Sequence, residues 1–113
     1  MNYDLKERTT KFSEEIIELC KKIPKNVVSL PIINQLLRCA TRIGANYMEA
    51  NGASSKKDFR NKITICLKES KETQYWLRLL AKTDEKFSEE SLKLWKEAQE
   101  FTLIFSKINK SSK

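Results

Sequence analysis

Only four of the 113 residues are glycine or proline, and they stand at Pro24, Pro31, Gly44 and Gly52. A chain so poor in turn residues is confined to few, long elements, and helices are the expected kind. Its length is that of one domain, residues 1–113, able to bury a single core without staples.

Apolar residues step by three and four along the chain, which is helical periodicity. The pattern and its caps predict helices over about residues 5–23, 31–50, 56–82 and 88–108. The first puts Phe12, Ile16, Leu19 and Ile23 on one face and stops at Pro24. The second is expected to open with Ser29 and Pro31 as cap and first-turn residues, and to exit at Asn51-Gly52. Ile33, Leu36, Leu37, Ala40, Ile43, Gly44 and Tyr47 form its stripe. Ser55 and Asp58 give a weak capping box before the third helix, whose core face carries Phe59, Ile63, Cys66, Leu67, Ser70, Leu77 and Ala81. In the fourth, Glu89 and Glu90 suit the positive helix start, and Phe87, Trp95, Ala98, Phe101, Phe105 and Ile108 face inward. The tail "NKSSK" is expected to fray. Four amphipathic segments with short connections predict an all-α, up-down-up-down four-helix bundle.

Gly44 falls on the inward arc of the second helix, one turn after Ala40. A pair of small residues so spaced lets another helix approach closely, at a propensity cost of about 1 kcal/mol against alanine. The alternative is a glycine merely tolerated at that place.

Several functional classes are disfavoured. No run of about 18 apolar residues occurs, so no membrane span is expected. The polar start "MNYDLKERTT" does not resemble a targeting peptide. Cys20, Cys39 and Cys66 are odd in number and far apart, and histidine is absent, so zinc spacing and a disulfide framework are both unfavoured. All three lie on or beside apolar stripes and are read as buried hydrophobes in a reducing cytoplasm. Without histidine the commonest general base is missing, and no phosphate-loop, dinucleotide or nucleophile-elbow motif occurs. No catalytic residue, metal ligand or cofactor is assigned, and the chain is not expected to be an enzyme.

The formal charge is +7, and its spread is uneven. Residues 56–82 hold eight basic side chains against three acidic ones, a net +5, whereas residues 83–113 balance six against six. At 100° per residue, Lys57, Arg60, Thr64, Lys68, Lys71, Tyr75, Arg78 and Lys82 fall within an arc of about 80° that holds no acid. A merely solvated helix face usually mixes signs, because opposite charges one turn apart support the helix. The row is therefore a candidate binding stripe for nucleic-acid phosphates, RNA or DNA, with Tyr75 as a base-stacking side chain. The alternative is a structural or interaction module whose row meets an acidic protein partner, or only solvent.

Two further features bear on assembly. Ile65, Trp76 and Leu79 form a second apolar edge on the third helix, with Glu69 and Glu72 in the same sector. The edge is either the rim of the core or a subunit interface, and tryptophan favours the interface. On the second helix Arg38, Arg42, Ala45 and Glu49 form a line opposite the stripe around Ala40 and Gly44. An antiparallel hairpin turning near Ala53 would set Arg38 level with Glu69, with Arg42 close by and Glu72 one turn beyond. Arg38 is expected to pair with Glu69 or Glu72; the alternative is that all four charges are solvated.

The segments "NQLLRCATRIGANYMEA" and "SKKDFRNKITICLKESKETQYWLRLL" resemble the bacterial four-helix bundle family. That family is also described as 23S ribosomal RNA intervening-sequence proteins and is related to the accessory variability proteins of diversity-generating retroelements. The resemblance runs from "YDLKERTTKF" through Leu80. It implies a bundle that assembles as a homopentameric ring, without established enzymatic activity. For the retroelement relatives it implies nucleic-acid binding beside a reverse transcriptase.

Overall fold

The computed structural model describes residues 4–112. Tyr3, where the resemblance begins, and Lys113, the last residue of the tail, lie outside the described residues. Among the described residues the chain is all-α, with α1 (Leu5–Lys22), α2 (Ser29–Asn51), α3 (Lys56–Thr83) and α4 (Ser88–Ser111). A single 3-10 turn at Glu85–Phe87 precedes α4.

Each connection has a local cause. Ile23 is extended, as a residue before proline prefers, and this ends α1. The Lys25 ammonium then reaches back to the carbonyls of Cys20 and Lys21, where the helix end is negative. The opening of α2 differs from the sequence expectation. Asn26 is the capping side chain: its Oδ1 accepts from the amides of Val28 and Ser29, each at 2.9 Å. Ser29 is already helical, and its hydroxyl donates to the Pro24 carbonyl at 2.6 Å instead. At the start of α3 the Ser55 hydroxyl accepts from the Asp58 amide at 3.0 Å. Asp58 accepts from Ser54 rather than from Ser55, so only half of a capping box closes.

The tail is more ordered than its composition suggests. The hydroxyls of Ser111 and Ser112 donate to the carbonyls of Lys107 and Ile108, at 2.9 and 2.8 Å. Arg60 of α3 donates to the Ser112 carbonyl at 3.5 Å. These bonds carry α4 to Ser111, three residues beyond the expected end.

Pairs of side chains give the packing. Glu49, Arg42 and Cys39 of α2 meet Lys62, Glu69 and Thr73 of α3, so these helices run antiparallel. Arg60, Thr64 and Gln74 of α3 meet Ser112, Asn109 and Thr102 of α4 in the same sense. α1 joins α4 through Arg8 with Glu97 and Lys22 with Glu90. The molecule is 44 Å long, and the 28 residues of α3, rising about 1.5 Å each, span nearly all of it.

The core holds Phe12, Ile16 and Leu19 of α1, Leu36 and Ile43 of α2, Ile63, Leu77 and Leu80 of α3, and Phe101 and Phe105 of α4. Gly44 faces α1. A Cβ there would lie 3.2 Å from the Thr9 hydroxyl and 3.3 Å from its Cβ. Thr9 is itself buried and turns its hydroxyl to the Leu5 carbonyl at 2.6 Å, so it has little room to give way. The three cysteines are buried thiols, and desolvation pushes Cys20 and Cys39 up to about 11 and Cys66 up to about 12. At neutral pH they are protonated and unreactive. No helix among the described residues is long and apolar enough to cross a membrane.

Candidate nucleic-acid interface

The length of α3 sets out the cationic row along the molecule. Lys57, Lys68, Lys71, Arg78 and Lys82 are exposed, and Tyr75 is 57% exposed in their midst. The edge of Trp76 meets the Tyr75 ring at 5.0 Å with an interplanar angle of 77°, which holds the ring beside the row. Arg60 is half-buried, because its guanidinium lies against the end of α4. The Thr64 hydroxyl reaches Asn109 of α4 at 3.3 Å.

Those contacts add a group that sequence spacing on one helix does not show. The last turns of α4, with Lys107 and Lys110 and no acid after Glu100, run beside the start of the row. Periodicity relates residues within a helix, whereas this neighbourhood depends on the pairing of two.

The cations of the row stand outside the ion pairs among the described residues, as do others such as Lys11, Arg38, Lys93 and Lys96, and what sets the row apart is that its cations share one face of α3 that holds no acid. Ion pairs join Arg8 to Glu97, Lys21 to Glu18, Lys22 to Glu90, Arg42 to Glu69 and Lys62 to Glu49. Among the described residues, no cation of the row has such a partner.

About a quarter of a turn round α3 from the row, Ile65, Trp76 and Leu79 are half-buried, and Trp76 packs against the core. The charged line of α2 lies next to this edge and is paired one turn away from the expected register. Arg42 Nε, not Arg38, holds Glu69 Oε2 at 2.7 Å, and Glu49 takes Lys62 at 2.9 Å. The cause is an overhang: with Glu49 opposite Lys62, the first turn of α3 projects beyond the end of α2. Arg38 is exposed and makes no ion pair among the described residues. It shares a polar recess of about 290 Å³ with Gln35, Cys39, Lys68 and Glu72 beside the Arg42–Glu69 pair.

Glu69 is buried, at 7% exposure, whereas the Arg42 side chain is 49% exposed. Desolvation raises the Glu69 pKa, the Arg42 charge opposes the rise, and nearby Glu72 adds to it. A carboxyl whose folded pKa is raised binds its proton more tightly in the folded state than in the unfolded one. Its contribution to stability is therefore greatest in acid and is lost as pH rises from the ordinary carboxylate range, about 4.3, through the raised value. Glu69→Gln should match the wild type below that window and gain on it above, in thermal melts from acid to neutral pH. Parallel profiles for the two proteins would contradict this.

No group of three or more His, Cys, Asp or Glu side chains able to hold a metal occurs among the described residues. A family model described as 23S rRNA-intervening sequence protein matches residues 1–107. The chain is also similar to a solved structure from Bacteroides thetaiotaomicron VPI-5482, a protein with unknown function from the S23 ribosomal protein family. The two are 35% identical over 93% of this chain and 97% of that one, with a TM-score of 0.81. No curated protein matches.

Proposed function

The chain belongs to the 23S rRNA-intervening sequence protein family, and from that membership we propose a non-catalytic, oligomeric helical-bundle protein that binds nucleic acid through the row on α3. The observation that carries this reading is the gathering of unpaired cations on one face of α3 that holds no acid. Arg8, Lys22, Arg42 and Lys62 each meet an acid of another helix, whereas Lys57, Lys68, Lys71, Arg78 and Lys82 have no such partner among the described residues. Mutual repulsion along one helix face is a cost that an external polyanion relieves. The row is straight and about 38 Å long from Lys57 to Lys82 at 1.5 Å per residue, which suits contact with successive phosphates. Tyr75, oriented by Trp76, offers a base a stacking face within it.

The assembly we propose is a homopentameric ring that uses the half-buried edge of Ile65, Trp76 and Leu79. That edge lies about a quarter of a turn round α3 from the row, with Trp76 against Tyr75 where the two meet.

Titration of RNA and of DNA at about 50 to 200 mM salt tests the binding, and light scattering tests the assembly. Affinity should fall steeply and linearly in logarithmic coordinates as salt rises. Absence of binding at the lowest salt would remove the nucleic-acid reading and leave an acidic protein as the partner for the row. A monomeric mass would remove the ring.

A further inference from the structure

The overhang of α3 beyond α2 leaves a cavity of about 860 Å³ at one end of the bundle, between the end of α2, the first turn of α3 and the end of α4. Two cations line it, Lys56 and Arg60, and no acidic residue does among the described residues. Asp58, in the same turn of α3, accepts from the Ser54 amide at 3.4 Å, and the lysine of the next turn, Lys62, is held by Glu49 at 2.9 Å. Lys56 is exposed and makes no ion pair among the described residues. Arg60 gives one N–H to the Ser112 carbonyl at a long 3.5 Å, which leaves most of the five donors of its guanidinium available. Ser54 and Ser55 supply hydroxyls, and Phe59, half-buried, supplies an apolar wall.

We infer that this cavity seats the terminal nucleotide of a strand lying along the cationic row, and that Lys56 and Arg60 take its terminal phosphomonoester. The assignment rests on the nucleic-acid reading of the row. Arg60 belongs to both places: it is a residue of the row and a wall of the cavity, so a strand that follows the row toward the start of α3 arrives at the opening. The helix face is convex and holds phosphates only from one side, whereas the cavity is a recess walled by the ends of two helices and the start of a third. A strand end can enter it without the backbone turning back. A terminal phosphomonoester carries about −1.5 to −2 at neutral pH, more than an internal phosphodiester. It also offers the three oxygens that a guanidinium and an ammonium grip together. The volume is of the order that encloses a small-molecule ligand, so the nucleoside has room against Phe59.

One strand of fixed sequence, prepared with a 5′ phosphate, with a 3′ phosphate and with hydroxyls at both ends, tests the inference. One phosphorylated form should bind the wild type about tenfold more tightly than the hydroxyl form, and which one it is identifies the end that enters. Lys56 lies off the row, so Lys56→Gln should bring the three forms to within about twofold of one another while the hydroxyl form keeps its wild-type affinity. Equal binding of the three forms to the wild type overturns the cavity's occupant and leaves the row's reading intact. A preference that survives in Lys56→Gln overturns it as well. Failure of every form to bind at low salt removes both readings together.

Discussion

Replacing Lys68, Lys71 and Arg78 together with glutamine should lower nucleic-acid affinity by about a hundredfold for a single strand and about five-hundredfold for a duplex, near 0.1 M salt. The size follows from counterion release. Each phosphate contact contributes about 0.7 to a single strand's logarithmic salt slope and about 0.9 to a duplex's, so three lost contacts flatten the slope by about 2 to 3. All three side chains are exposed and make no ion pair among the described residues, so their removal takes away no internal contact of that kind. Circular dichroism and the melting profile should stay as in the wild type. The loss should also be nearly uniform across sequences, because phosphates carry no base identity. A variant that retains the wild-type slope would show that the row does not touch phosphate, whatever its affinity.

Phe101→Ala should reduce the unfolding free energy by about 3 to 5 kcal/mol in denaturant titration. Phe101 is fully buried where α4 meets α1. Its ring meets Phe12 edge-on at 5.3 Å, leans on Phe105 at 6.2 Å, and carries the Arg8 guanidinium 5.4 Å from its centre. The other ties between these helices are the ion pairs Arg8–Glu97 and Lys22–Glu90, both partly open to solvent. Pairs of that kind contribute about 0 to 1 kcal/mol. Glu97→Gln should therefore cost at most about 1 kcal/mol, and Phe101→Leu should fall between the two substitutions. The reverse order, with Glu97→Gln costing more than Phe101→Ala, would mean that charge rather than the aromatic stack joins α1 to α4.

The all-helical character, the four segments and much of the core were legible because period and burial are two aspects of one geometry: a residue three or four along from Phe12 or Phe101 faces the same way. The inertness of the cysteines followed from the same stripes. Features that depend on two segments at once were not legible. Arg42 rather than Arg38 meets Glu69 because α3 overhangs α2, and no local signal in "NGASSKK" records that offset. The same offset creates the cavity beside Lys56 and Arg60. The capping role of Asn26 was hidden by Ser29, a competing cap residue that spends its hydroxyl on Pro24. Glu69 is buried because it stands at the edge of the core sector next to α2, where a charge survives only by leaning on Arg42.

The order in which the helices meet bears on how quickly the chain can find its fold. α2 packs chiefly on α3 and α3 on α4, each the next element along the chain and each joined by a short link. Two hairpins can thus close with little loop entropy to overcome, the situation in which helical domains fold in microseconds to milliseconds. Only the seam between α1 and α4 brings distant parts of the chain together, and it is the lightest of the major helix contacts. The last three helices are therefore suited to collapse first around α3, with α1 docking against a surface already formed. Local opening would run the same way in reverse, with α1 lifting away while the helix that bears the cationic row stays clasped between its two neighbours.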